Sequence, residues 1–215
     1  MAVQLPNGSL VAIASGYGSP ITTTALTNAN PCVVSAAAHG LTDGDIIEVT
    51  SGWSRLTDKI VRVDDATTGT FELEGINTAS TSVYAASGGA GSVREVTGWT
   101  QLAQILTSAS QGGEQQFLPY QFLEGDAEKR IPTFKSAAGI TFSVAYDPDL
   151  AGYQLVQTAN DDRQQRAVRI TLADGSLLFY NAYISLGTIP SLDVNQLMAV
   201  EVTLSLLNEP VRYAS

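Results

Sequence analysis

The chain has 215 residues, 44% of them hydrophobic and only 15% charged, with a net charge of −10. That length allows one large domain or one domain with a small insertion. The charged fraction is low beside the quarter or so usual in soluble domains, and the absence of any basic cluster excludes sequence-independent binding to phosphate backbones.

Residues 1–31 carry no charged side chain. They hold one expected strand, Leu10 to Ala14, and then Ser15-Gly16-Tyr17-Gly18-Ser19-Pro20, which reads as flexible punctuation. The segment looks like an arm or an edge strand that needs a partner. No basic region precedes an apolar run, so no signal peptide is expected. No run reaches the roughly 18 apolar residues of a membrane span. One cysteine, Cys32, makes neither an internal disulfide nor a zinc centre and is expected as a small buried hydrophobe.

From about residue 32 to 93 the character changes. Ala38-His39-Gly40-Leu41-Thr42-Asp43-Gly44-Asp45 is a glycine-rich turn leading into Ile46 to Val49. Ile60 to Val63, a turn at Asp64 to Gly69, and Thr70 to Leu73 follow, then a poorly periodic stretch from Thr78 to Ser92. Short strands at turn spacings of about ten residues suggest a small β-barrel or β-roll. Nine acidic and four basic residues lie between 32 and 95.

Residues 98–110 fit two readings. Trp99, Leu102, Leu106 and Ala109 have helical spacing, while Gln101, Ala103 and Ile105 alternate with Leu102, Gln104 and Leu106 as a strand would. After Gln111-Gly112-Gly113 a long excursion runs from Glu114 to Ser136. It mixes exposed-looking aromatics (Phe117, Tyr120, Phe122, Phe134) with charges (Glu124, Asp126, Glu128, Lys129, Arg130), and long connections of this kind are usually binding loops.

The last third is the clearest. Ile140, Phe142, Val144 and Tyr146 alternate with small or polar residues, as a half-buried strand does. Asp147-Pro148 predicts a helix start, with Asp as N-cap and Pro in the first turn. Ala151, Gly152, Leu155, Val156 and Ala159 form its expected buried stripe, and its end falls near residues 160–163. Val168, Ile170 and Leu172 alternate, Asp174-Gly175 turns the chain, and Met198 to Leu206 make a long final strand.

Catalytic patterns are missing. His39 is the only histidine and precedes Gly-Leu in a turn, so it reads as structural. No Gly-x-Ser-x-Gly elbow occurs. Asp64-Asp65 and Asp161-Asp162 sit at apparent turns, where Asp caps backbone amides. Glu124, Asp126 and Glu128 run into Lys129-Arg130 as a solvated charge mix. No loop alternates acidic ligands as calcium requires, and neither Gly16-Tyr17-Gly18 nor Gly88 to Gly91 leads into Lys-Ser/Thr as a phosphate loop does. Trp53 and Trp99 read as core or interface anchors. No catalytic, cofactor-binding or metal residue is therefore expected, and the chain reads as part of an assembly.

Gly112 to Phe117, Ile131-Pro132-Thr133, Gly139 to Pro148, Arg169 to Leu172, Asp174-Gly175, Tyr180 to Tyr183, Pro190, Val194-Asn195-Gln196 and Glu209 to Tyr213 together resemble the tail tube protein of long, non-contractile-tailed bacteriophages. The resemblance covers residues 1–31 and 94–215. His39-Gly40-Leu41, Gly44-Asp45, Thr70 to Leu73, Tyr84 and Gly88-Gly89 resemble a small β module of phage structural proteins, also a subdomain of ubiquitin-activating enzymes. In place of that module's common Asn-Gly before the third strand stands Thr57-Asp58-Lys59.

The resemblance implies a mainly β fold: a β-sandwich tail tube domain (1–31 and 94–215) with one flanking helix, and an inserted small β domain (32–93) decorating the exterior. It implies no enzyme and no cofactor. The partner would be the chain itself, as hexameric rings stacked into a tube, with tape measure, terminator and tip proteins. DNA would pass an acidic lumen without specific binding. Assembly would take place in the host bacterial cytoplasm, for a virion tail. Stacking contacts would come from Glu114, Gln115, Gln116, Phe117, Tyr120, Phe122, Glu124, Asp126, Lys129 and Arg130, with the N-terminal arm. Glu201 would face the lumen. A tail terminator or distal tail ring is the alternative of the same kind; a glycan-binding module acting through 32–93 is the alternative of another.

Overall fold

The computed structural model describes residues 7–192 and 194–214; the first six residues of the expected N-terminal arm lie outside them. β1 (Leu10–Tyr17) runs three residues past its expected end. Gly16 lies opposite Gly98 between register shifts, so the glycine-rich stretch read as flexible is in part a bulged strand. β2 (Ile21–Thr23), β3 (Ala25–Leu26), β4 (Cys32–Ser35), β5 (Ile46–Ser51), β6 (Lys59–Asp64) and β7 (Thr70–Leu73) follow. Asp58 takes φ 62° in the turn before β6.

Residues 98–110 are strand. β8 (Gly91–Leu102) and β9 (Ile105–Gln111) are joined through Gln104 at φ 59°. The Glu114–Ser136 excursion is a hairpin of β10 (Gln115–Tyr120) and β11 (Lys129–Lys135), not an irregular loop. Then come β12 (Gly139–Ala145), α1 (Ala151–Asp162), β13 (Arg166–Thr171), β14 (Leu177–Leu186), β15 (Ala199–Leu206) and β16 (Val211–Tyr213). The strand order is β3-β4-β7-β6-β5-β8-β1-β13-β14-β15-β12-β9, all antiparallel, with β2 on β8 and β16 on β14.

The fold is mainly β, a curled sandwich with one helix among the described residues. One core lies between its two layers, the first of β8, β1 and β13 and the second of β15, β12 and β9, with β14 passing from one to the other. Val11 and Ile13 of β1, Val168 of β13 and Leu102 of β8 meet Phe142, Val144, Val200, Val202 and Leu204 of β12 and β15, with Val156 and Ala159 of α1 closing the side. Alternation does the sorting: Val200, Val202 and Leu204 are buried, while Glu201 and Ser205 on the other face are exposed.

The helix starts later than the sequence suggests. Asp147 does cap, but it caps a turn: its Oδ1 accepts the Asp149 N–H at 3.2 Å. The N-cap is Leu150, without a side-chain cap bond. The reason is the strand before it. Tyr146 still donates its N–H to the Met198 carbonyl at 2.8 Å, so Asp147 to Asp149 are used to turn the chain from β12 onto the helix. Gly152, Val156 and Ala159 of the expected stripe are buried, with Tyr153 in place of the exposed Ala151. Gly152 lies against the β8 backbone, where a Cβ would come within 3.2 Å of Leu102 Cα.

A second cluster, from Leu26, Cys32 and Val34 through Phe71 and Leu73 to Val93, fills the small unit of β2 to β7 and the first half of β8. Cys32 is fully buried, and burial pushes its thiol pKa up. His39 accepts the Leu41 N–H at Nδ1 and packs edge-on against Phe71, in keeping with a turn role. The unit is not tethered by linkers. β8 is continuous through residues 93 and 94, and a third cluster joins Ile60 and Val96 to Ala14, Ala167, Phe179 and Tyr213 on the outer face of the first layer.

Tyr213 is the polar pin of that contact. Its hydroxyl accepts the Arg62 N–H at 2.8 Å and donates to the Glu74 carbonyl at 3.2 Å. Burial pushes the phenol up to about 12. Above the ordinary value near 10 the unfolded phenol ionises first, so the folded state holds the extra proton. Stability from Tyr213 is therefore complete below about pH 10 and lost as pH rises towards about 12, by about 2–3 kcal/mol. Tyr213→Phe should flatten that part of the alkaline unfolding curve, measured by urea midpoints at pH 9, 10 and 11; an unchanged slope counts against the pin.

Candidate functional site

The hairpin of β10 and β11 brings the expected contact residues together. Gly112 and Gly113 launch it at φ 75° and 78°, where a side chain is strained. Ser136 closes its neck, donating its N–H to the Glu114 carbonyl at 2.9 Å while its Oγ accepts the Glu114 N–H at 3.0 Å. The ladder pairs Phe117 with Pro132, Leu118 with Ile131 and Tyr120 with Lys129. Gln115 and Tyr120 are half-buried, whereas Glu114, Gln116, Phe117, Phe122, Glu124, Asp126, Lys129 and Arg130 are exposed. Tyr120 and Phe122 meet edge to face, centroids 5.3 Å apart.

Both faces of this ribbon carry apolar side chains, and neither has a core. Leu118 and Ile131 share one face by register and Phe117 stands on the other; Phe117, Leu118 and Phe134 are 54%, 58% and 70% exposed. A two-stranded ribbon is marginal alone in water. An ion pair to the body joins Lys135 to Glu209, lowering the Glu209 pKa by hydrogen bond and charge.

Glu201 lies on the outer face of the second layer, away from the small unit. Around it by register are Ser143, Thr141, Thr203, Ser185, Thr107 and Ser205. It is the one acidic or basic residue among the described residues of β9, β12, β14 and β15. The face is hydroxyl-rich rather than densely acidic. β9 ends the strand order, so among the described residues its outer edge is unpaired.

Sequence reasoning missed the connection between β14 and β15. Ile189, Leu192, Val194, Leu197 and Met198 are all exposed there, Val194 by 86%. The final strand begins at Ala199, leaving Met198 in this loop. Clustered aliphatics without strand or helix period were the available signal. Asp64-Asp65 and Asp161-Asp162 do cap: Asp64 accepts the Asp65 N–H and Asp162 the Gln164 N–H at 2.8 Å. Trp53 is buried, its indole N–H donating to the Ala85 carbonyl at 2.8 Å, and Trp99 stacks under Arg169. No helix among the described residues is long and apolar enough to cross a membrane.

A family model described as "Phage tail tube protein, TTP" matches residues 51–215. No curated protein matches the chain. Among solved structures it is similar to the tube-terminating cap of an anti-feeding prophage, at 20% identity and TM-score 0.37 over 50% of this chain and 79% of that one. It is also similar to the sheath/tube terminator of an extracellular contractile injection system, at 19% identity and TM-score 0.39 over 49% and 84%. A third likeness is to the sheath–tube complex of such a system, at 15% identity and TM-score 0.35 over 50% and 80%.

Proposed function

This chain belongs to the phage tail tube protein family, and on that premise we propose that it is a non-enzymatic subunit that polymerises into a tail tube, six copies closing each ring and rings stacking head to tail. The observation that carries the reading is the bare edge of β9. It is seven residues long, uncharged and without proline. A lone protein guards such an edge, because unpaired N–H and C=O groups invite other strands. Ring closure removes the problem by pairing each edge with the next copy.

The two outer faces of the sandwich support a division of labour. The small unit, which takes in 32–93 together with β2 and β3, covers the first layer and decorates the tube exterior. The hydroxyl face of the second layer lines the lumen, and six copies of Glu201 form an acidic girdle in each ring. A face without Lys or Arg gives the DNA backbone no cation to pair with, and the girdle repels it. The hairpin and the N-terminal arm supply the ring-to-ring contacts. A tape measure protein and terminator and tip proteins are the partners of such a tube, which assembles in the host cytoplasm and travels in the virion.

Negative-stain electron microscopy of the purified chain tests this directly. Tubes are expected; discrete single rings indicate a terminator or distal ring, and monomers at high concentration reject assembly by this chain alone. Glu201→Lys tests the lumen. Tubes should still form, and phage carrying the change should eject DNA several-fold more slowly. Ejection at the wild-type rate places Glu201 elsewhere.

A further inference from the structure

Between the two layers of the sandwich, beside the edge of β9, the described residues line a groove of about 640 Å³ with an apolar floor and a rim of Ser and Thr hydroxyls. Val11, Ile105, Leu106, Ile140, Ile170 and Leu172 are among its lining residues, and no charged residue lines it. Leu106 is 46% exposed, so the core is incompletely covered there. The same molecule carries an apolar projection with no counterpart, the loop of 187–198. Surface connections are normally polar, and contiguous exposed apolar side chains mark contact sites.

The base of the loop is held by backbone rungs. Gly187 donates its N–H to the Glu201 carbonyl at 2.8 Å and Ser191 to the Ala199 carbonyl at 2.9 Å. The Ala199 N–H returns to Ser191 Oγ at 3.2 Å. These rungs fix the base of the loop beside Leu192, which lowers the ordering cost of presenting that side chain.

Charge argues that the occupant is another copy. Each chain carries −10, so copies repel at long range and must meet through uncharged surface. The groove lining is neutral, and the loop contains no Lys or Arg and a single acid, Asp193. A projection on one part of a molecule that fits a groove on another part makes a heterologous contact, which closes rings or propagates filaments.

We propose that the 187–198 loop of one copy inserts Leu192 and its apolar neighbours into the groove beside β9 of the next copy. The contact completes the core under β9 and lies beside the strand edge that ring closure would pair. This rests on the reading of the chain as a self-assembling tube subunit.

The test uses the full chain. Ser108→Cys, on the groove side of β9 opposite Phe142, carries a benzophenone maleimide; Cys32 is fully buried. Labelled chain is mixed with isotopically heavy chain, assembled and irradiated, and the captured peptides are identified by mass spectrometry. Residues 187–198 of the heavy chain are expected, on assembly only. Leu192→Ser with Leu197→Ser should melt like wild type and need at least tenfold more protein to assemble. Capture of residues 1–6, or of any other segment, in intact tubes overturns the loop-to-groove contact alone, as does a double variant that assembles like wild type. A wild-type chain that never assembles overturns the tube reading as well.

Discussion

A subunit carrying Phe117→Ser and Phe122→Ser is expected to stay folded and soluble and to lose tube formation. Both rings are exposed on the hairpin and support no core of the subunit, so the folded state loses little. Aromatic anchors at interfaces contribute on the order of 2 kcal/mol each. Two of them shift the concentration needed for stacking by roughly a thousandfold. Hydrogen exchange separates docking from folding. The β10–β11 ladder is paired within one chain, so its amides should be partly protected before assembly. Ordering on assembly should concentrate at the tip, residues 121–128, where amides exchange fast in the free subunit and slowly in tubes. Identical protection at the tip in both states, or tubes formed by the double variant at wild-type concentration, removes the hairpin from the stacking surface.

The sandwich was legible where burial is one-sided. In β15 and β12 one face meets the core and the other meets solvent, so side chains alternate and the strand shows in the sequence. The site was legible as composition but not as shape. Phe117, Tyr120 and Phe122 mark the excursion as a candidate contact element by composition, while the hairpin escaped because prolines at 119 and 132 and charges at 128–130 break the alternation on which strand reading depends. The helix start was misplaced because Asp147-Pro148-Asp149 is real capping chemistry spent on a turn. The 187–198 loop was overlooked because its aliphatics follow no period. Glu48 was the least visible residue. In β5 it occupies a solvent-side position by alternation, yet it is 2% exposed, because the main sheet covers that face. Its partners lie 46 and 133 residues away in sequence, and no local pattern encodes pairings of that range.

Glu48→Ala is expected to be the most destabilising single change at the junction between the small unit and the sheet. The carboxylate accepts from Arg94 Nε at 2.5 Å and from Asn181 Nδ2 at 2.9 Å, and Gln165 also donates to it. Arg94 in turn lies over the Tyr17 ring, 4.0 Å from its centroid. Removing one partner of a buried ion pair costs about 3–5 kcal/mol, since the other charge is stranded. Arg94 keeps a third of its side chain in water and can turn outward, which places the expected loss near the lower end, about 3 kcal/mol. For a domain of this size that is a fall in Tm of roughly 6–12 °C. Glu48→Leu with Arg94→Leu removes both charges and should recover part of the loss, because apolar packing can replace a buried pair. The double change still leaves Asn181 without an acceptor, so recovery is incomplete. A loss below about 1 kcal/mol in Glu48→Ala, read from urea midpoints, would mean that water solvates the cluster and that the unit is only loosely attached. The larger loss carries a consequence for assembly. In the tube proposed above, a unit locked through Glu48, Ile60 and Tyr213 would turn with the sheet as one body, and every ring would present it at the same angle.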